Sequence, residues 1–113
     1  MHKKNILDIS SITNFQEEIF EDILANSAEI CKIERIISKG HTTAENIFYD
    51  QDCAELVFLL QGSAEIEFEN KLKMNLAAGD YVIIDEHQKH RVTYTSSEPE
   101  CIWLAIHYKL CHP

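Results

Sequence analysis

Apolar and polar residues alternate along several short segments of this 113-residue chain, a pattern typical of β-strands that bury one face. Residues 63–69 alternate most cleanly, with three apolar side chains on one face and a serine and three glutamates on the other. Residues 72–76 alternate again after Asn70-Lys71. The two segments are therefore predicted to pair as a hairpin.

Further strands follow from the same pattern. Residues 28–38 predict a half-buried strand, and residues 91–95 and 101–108 predict a second hairpin about the turn Ser96–Glu100. The three glycines lie at the ends of such runs, where strands turn or bulge. Seven or more short strands predict an all-β fold, a sandwich or barrel.

The register of the second hairpin decides where two histidines lie. We take a pairing in which Tyr94 opposes Cys101. His90 then lies opposite Ala105, with His107 diagonally beside it. A one-residue slip would turn His107 to the other face of the sheet.

Residues 14–25 fit two structures about equally well. Asn14-x-x-Glu17 has the form of a capping box, which would begin a short helix with an Ile- and Phe-rich face. An edge strand over Glu18–Leu24, followed by a turn at Asn26-Ser27, fits the same residues. The N-terminal element is therefore predicted to be either a helix or a strand.

Composition narrows the class of protein. The length of 113 residues and the 45% apolar content predict one domain over residues 1–113, and the net charge of −9 argues against nucleic acid as a partner. Neither a membrane-spanning run, which needs roughly 20 apolar residues, nor a secretory signal is visible, so we expect a cytoplasmic protein without membrane contact. The four cysteines form no Cys-x-x-Cys pair and are interpreted as reduced thiols.

Two motifs give the chain a family resemblance. Glu55 is followed by Gly62, a strand pair, Ala78-Gly79-Asp80 and His90, an order and spacing similar to that of the cupins. Trp103-Leu-Ala-Ile-His-Tyr108 resembles a subgroup of single-domain bacterial cupins that has no assigned reaction. The resemblance implies a cupin jelly-roll β-barrel.

The resemblance also implies a ligand set. Cupins that bind metal usually offer two histidines and a glutamate from the first motif and one histidine from the second. Glu55 and His90 match that pattern, whereas the two remaining positions fall on Tyr49 and Gln51, or on Phe48 and Asp50 with a spacing one residue longer. Amide and phenol oxygens hold transition metals more weakly than imidazole does.

We therefore expect a depleted metal site or none. Gln51, Glu55 and His90 are its candidate ligands, with His87 or His107 as additional ones, and the candidate metal is one divalent Zn, Fe, Mn or Ni ion. Asp85 and Glu86 add negative charge beside His87, which favours a cation over an anionic substrate.

Three functions remain open at this point. The first is a binding or sensing module whose interior pocket holds a small molecule without turnover. The second is a metal-dependent enzyme of the oxygenase or isomerase type, and the third is a homodimer built by sheet extension, compatible with either. The predicted pocket residues are Tyr49, Gln51, Glu55, His90, Trp103 and His107.

Overall fold

The computed structural model describes residues 3–25 and 30–109, which form eight β-strands and no helix. The strands are β1 (Ile19–Ala25), β2 (Ile30–Ser38), β3 (Ala54–Gln61), β4 (Ser63–Phe68), β5 (Lys73–Ala77), β6 (Tyr81–Ile84), β7 (His90–Thr95) and β8 (Cys101–Tyr108). A five-stranded sheet has the order β1-β2-β8-β3-β6, and a three-stranded sheet has the order β5-β4-β7. The strand pairs are antiparallel, and the two sheets enclose the core as a jelly roll, so the predicted all-β fold is confirmed.

The N-terminal element is a strand. β1 occupies the edge of the five-stranded sheet and pairs with β2, as one of the two predictions required. The capping-box alternative is wrong, because the described residues after Asn14 form no helix and the chain enters β1 at Ile19. Asn14 Oδ1 accepts a hydrogen bond from the backbone N–H of Gln16 at 2.9 Å in a local turn. The predicted turn at Asn26-Ser27 lies outside the described residues.

One predicted hairpin is confirmed and the other is wrong. β4 and β5 pair directly, with Ile66 opposite Met74. β7 pairs with β4, whereas β8 lies between β2 and β3 in the other sheet. The turn Ser96–Glu100 therefore carries the chain from one sheet to the other, where the fully buried Cys101 begins β8.

Alternate residues of the facing strands fill the interior. One end of it is apolar, with Leu59 from β3, Ala64 and Ile66 from β4, and Trp103 from β8 in one cluster of buried side chains. The other end holds buried polar groups, described below. No helix able to span a membrane occurs within the described part of the chain, and the cytoplasmic location remains a prediction.

Gly62 joins β3 to β4 where three segments meet. Its φ of +90° lies in a region that side-chain-bearing residues rarely adopt. A Cβ atom at this position would approach Ser96 Oγ to 2.7 Å and Cys101 Sγ to 2.9 Å. Gly79 has a similar φ of +97°, but a Cβ atom there would have no neighbour within 4 Å.

Replacing Gly62 by alanine should therefore destabilise the fold by about 2–5 kcal/mol, because backbone strain and steric overlap add. Gly79→Ala is the matched control and should lose only about 1–2 kcal/mol from strain. Urea denaturation of both variants measures the difference. Equal losses would show that the close approach at Gly62 does not constrain the fold.

Candidate binding site in the barrel

A cavity of about 590 Å³ opens at the polar end of the barrel. Its wall brings together six side chains predicted from the sequence: Tyr49, Gln51, Glu55, His90, Trp103 and His107. Apolar residues from both sheets, among them Val57 and Ile66, form the rest of the inner wall. Whether the six polar and aromatic residues bind a ligand remains a prediction.

Strand register places the polar groups of the five-stranded sheet side by side. Glu55 of β3 pairs directly with His107 of β8, so both side chains point to the same face. Glu34 of β2 lies opposite Ala105, the inward residue two positions before His107. His107 therefore lies between two carboxylates although the hairpin proposed for it does not form.

A hydrogen-bonded cluster results from this register. His107 Nε2 lies 2.9 Å from Glu34 Oε1 and 3.7 Å from Glu55 Oε2. All three residues are no more than 7% exposed, so neither carboxylate has free access to water. An imidazole hydrogen on Nε2 satisfies Glu34 and reduces the repulsion between the two acids.

Glu34 is the member of this cluster that the sequence analysis missed, as it also missed Glu18, Asp22 and Lys32 in the cavity wall. The strand that carries Glu34 has apolar residues on both of its faces, for example Ile33 on one and Ile36 on the other. This pattern indicates that both faces are covered. A charged residue inside such a strand needs a partner or a function, because burying an unpaired charge is costly. That signal was present in the sequence.

Glu34 is held in its charged form. Burial raises its pKa, but the hydrogen bond from His107 and the nearby Lys32 ammonium group outweigh burial, so the pKa is lowered overall. Lys32 Nζ lies 3.5 Å from Glu34 Oε2. The site therefore presents a carboxylate rather than a carboxylic acid at neutral pH.

His90 faces this cluster from the three-stranded sheet. Its Nδ1 lies 3.0 Å from the carbonyl oxygen of Gln88, which can only accept, so Nδ1 carries a hydrogen. Nε2 then points at Glu55 Oε1, 3.7 Å away, and is unprotonated when the ring is neutral. His90 is thus oriented to accept a proton from a bound molecule or to donate one when charged.

The segment before β3 completes the wall. Tyr49 and His90 form a two-way backbone bridge, with N···O distances of 2.7 Å and 3.2 Å, and their rings are 5.5 Å apart. Burial and the nearby Glu18 raise the pKa of Tyr49, which keeps its phenol protonated. Gln51 donates from Nε2 to Glu55 Oε1 at 3.4 Å.

Trp103 forms the floor of the cavity and is fixed by one polar contact. Its side chain is buried, at 3% exposure, and its Nε1–H donates to Ser38 Oγ at 3.1 Å. Ser38 Oγ in turn donates to Glu18, which also lines the cavity. The indole therefore has one fixed orientation against the apolar wall.

His87 lies apart from the cluster. Its side chain is 65% exposed, and its Nδ1 lies 2.8 Å from Asp50 Oδ1. The hydrogen bond to Asp50 raises the pKa of His87 above its ordinary value of 6.5. His87 faces a second depression of about 570 Å³, which Cys31, Cys53 and His107 also line.

The predicted ligand set matches a metal only in part. His90 Nε2 and Glu55 point at each other, and the hydrogen bond from His90 Nδ1 to a backbone carbonyl is the orientation that metal-binding histidines use. His107 Nε2 is occupied by Glu34, and Gln51 adds an amide group. Among the described residues, no group of three or more His, Cys, Asp and Glu side chains is arranged to hold a metal ion.

The cavity is acidic. Its described lining includes four carboxylates and one ammonium group: Glu18, Asp22, Glu34, Glu55 and Lys32. Lys32 is already paired with Glu34. The field inside the cavity therefore favours neutral or positively charged molecules over anions.

A barrel of two antiparallel sheets with a polar cavity at one end is a jelly-roll architecture. The family profile of the cupin domain matches residues 35–107, well over half of the chain. The chain therefore belongs to the cupin family. The extension of the domain over all of residues 1–113 remains a prediction.

Solved structures agree with this assignment. A proposed mannose-6-phosphate isomerase of Ralstonia eutropha JMP134 is 31% identical, with a TM-score of 0.86 over 97% of this chain and 100% of that chain. A cupin superfamily protein of Desulfitobacterium hafniense DCB-2 is 18% identical, with a TM-score of 0.74 over 97% and 95% of the two chains. The iron(II) form of HppE is 12% identical, with a TM-score of 0.67 over 80% of this chain and 50% of that one. No curated protein sequence matches the chain.

Proposed function

We propose that this cupin binds a small neutral or cationic organic molecule in its barrel cavity. The observation that carries the proposal is the imidazole of His107 held between the buried carboxylates of Glu34 and Glu55, 2.9 Å and 3.7 Å away. Buried acceptors of this kind are satisfied best by a ligand that brings hydrogen-bond donors. Hydroxyl and amino groups are such donors.

The shape of the site supports the same class of ligand. A cavity of about 590 Å³ falls within the range of small-molecule sites, roughly 300–1,000 Å³. Val57, Ile66 and Trp103 offer apolar contact on one side, and the carboxylates lie on the other. An amino sugar or a polyol amine combines the two kinds of surface in one molecule.

The relative from Ralstonia eutropha raises a sugar phosphate as an alternative ligand. A phosphate group needs cationic or N–H donors that are free to bind it. The ammonium group of Lys32 lies 3.5 Å from Glu34, and four carboxylates surround the cavity. The charge of this site therefore supports an uncharged or aminated sugar rather than a phosphorylated one.

The cluster could also move protons. His90 and His107 both approach Glu55, at 3.7 Å each, so a bound hydroxyl group could exchange a proton with either ring. That arrangement is compatible with turnover as well as with simple binding. We propose the binding role and assign no reaction.

Three sugars that share one skeleton test the proposal: mannosamine, mannose and mannose 6-phosphate. We expect mannosamine to bind at least about tenfold more tightly than mannose 6-phosphate, because its ammonium group meets the acidic wall. Glu55→Gln should weaken mannosamine binding by about tenfold, the loss of one charge-assisted hydrogen bond. Isothermal titration calorimetry measures both effects.

Glu69→Gln is the control for this experiment, since the Glu69 side chain is 62% exposed and does not line the cavity. It should leave mannosamine binding unchanged. Tighter binding of mannose 6-phosphate than of the other two sugars would contradict the proposed ligand class. Equal binding of mannosamine by the wild-type protein and Glu55→Gln would show that Glu55 does not contact the ligand.

A metal-dependent enzyme is the second candidate function. It is favoured by the orientation of His90 Nε2 towards Glu55, because these two side chains could both bind a Zn, Fe, Mn or Ni ion. A third ligand would require His107 to exchange Glu34 for the metal. The iron(II) form of HppE shares the fold, but its identity of 12% carries no ligand over to this chain.

Metal analysis separates the two candidates. The protein is purified without added metal and without a nickel affinity tag, beside His90→Ala, and both are analysed by mass spectrometry for metal content. Because only two ligands are in place, we expect substoichiometric metal in both proteins. One equivalent of metal in the wild-type protein that is lost in His90→Ala would favour the metal enzyme.

We also propose that two copies of the chain associate through the outer face of the five-stranded sheet. One row of apolar residues crosses all five strands on that face: Leu24, Ile33, Ile106, Leu56 and Ile83. Leu24 and Ile83 are 45% and 56% exposed. The three residues between them are partly exposed, and an apolar row that reaches the surface along its length supports an interaction surface.

Charge points to a second copy as the partner. The chain carries a net charge of −9, so two copies repel each other wherever carboxylates face carboxylates. The apolar row carries no charge, and in the next row the single charged pair, Arg35 and Glu21, is joined by a salt bridge. This face therefore allows two acidic molecules to approach with the least repulsion.

Ile83→Asp should dissociate the dimer, weakening association roughly thirtyfold or more, because a charge would enter the apolar contact. Leu72→Asp is the matched control, since Leu72 is 55% exposed but lies in the β4–β5 turn of the other sheet. Sedimentation velocity measures the two variants and the wild-type protein. A wild-type monomer at micromolar concentration, or equal effects of the two substitutions, would contradict the proposed interface.

A further inference from the structure

Two cysteines meet at the edge of the second depression. Cys31 lies at the irregular start of β2, where the pairing with β8 shifts register between Ile30 and Lys32. Cys53 lies in the irregular segment that precedes β3. Their Sγ atoms are 2.8 Å apart, although the residues are 22 positions apart in the sequence.

The pair is accessible, although the hydrogen bond with Cys31 raises the pKa of the Cys53 thiol to about 11 and so slows its reaction at neutral pH. Both cysteines are unpaired by any disulfide and are half-buried, whereas Cys101 is fully buried in the core. Cys31 and Cys53 both line the second depression, so a small reagent can reach them. The two sulfur atoms of a disulfide bond are about 2.0 Å apart. The Sγ atoms of Cys31 and Cys53, 2.8 Å apart, would therefore have to approach by less than about 1 Å.

We propose that Cys31 and Cys53 form a reversible disulfide that fixes the segment 50–53 to β2. The oxidant is a small-molecule disulfide such as oxidised glutathione. One thiolate attacks it and releases one reduced thiol, and the second cysteine then displaces the other. In sum, two cysteine thiols and one external disulfide give the internal disulfide and two external thiols.

The disulfide would act on the wall between the two depressions. Lys32, Gln51 and His107 line both of them. Gln51 lies in the tethered segment, where its carbonyl oxygen accepts from the backbone N–H of His87 at 2.7 Å and its side chain donates to Glu55. Oxidation would therefore hold Gln51 in place against the cavity, and reduction would release the segment.

The first experiment tests the bond. The full chain carrying Cys111→Ser, a position outside the described residues, is equilibrated with reduced and oxidised glutathione, and the remaining thiols are alkylated. Peptide mass spectrometry should find one internal disulfide between Cys31 and Cys53, with the loss of two hydrogens, and dithiothreitol should reverse it. The buried Cys101 should be alkylated only after unfolding.

The second experiment tests the tether. Closing a loop of 22 residues should raise Tm by roughly 5–15 °C in the oxidised protein. Hydrogen exchange at residues 50–53 should slow by about tenfold or more. Cys31→Ser and Cys53→Ser are the controls, and neither should show these changes in oxidised glutathione.

Three results would overturn the proposal. In the first, both cysteines stay reduced under strongly oxidising glutathione. In the second, glutathione adducts form on single cysteines without an internal disulfide. In the third, the internal disulfide forms but leaves hydrogen exchange at residues 50–53 unchanged. None of these readouts uses a cavity ligand. The disulfide is therefore tested independently of the proposed binding function.

Discussion

The imidazole of His107, shared between two buried carboxylates, is the interaction on which the polar half of this barrel depends. Glu34 and Glu55 stand on β2 and β3, the two strands that flank β8. Two carboxylates at this depth repel each other and lose their hydration, and either effect alone opposes burial. A hydrogen-bond donor on the strand between them offsets both. Removing that donor would take from Glu34 its closest hydrogen-bond partner and would leave no donor between the two acids.

This constraint explains why the barrel is filled at one end only. Apolar side chains such as Leu59 and Leu76 close the other end, where alternate residues of both sheets interdigitate. At the polar end, the acids need space for water or for a ligand with donors, so apolar packing cannot continue to the rim. The cavity follows from the chemistry of its wall as much as from the curvature of the sheets.

Local patterns predicted the strands and part of the site, but not which strands become neighbours. The β4–β5 hairpin follows from clean alternation on both sides of Asn70-Lys71, whereas the pairing of β7 with β4 rather than β8 depends on contacts across the barrel. Glu55 and His90 have a recognisable motif spacing, whereas the face of His107 is set by the register of β8 with β3, where it pairs with Glu55. Glu34 belongs to no motif, and its role appears only when β2 lies beside β8. The choice between helix and strand for residues 14–25 was likewise decided outside that segment, because β1 forms where β2 offers an open edge.

The five-stranded sheet has an unusual distribution of polarity between its faces. Its inner face ends in carboxylates and histidines, whereas its outer face carries an apolar row from Leu24 to Ile83. In a monomeric protein, an antiparallel sheet usually packs its apolar face on the core and leaves its polar face in water. Both faces of this sheet are thus suited to being covered, the inner one by a molecule with hydrogen-bond donors and the outer one by protein.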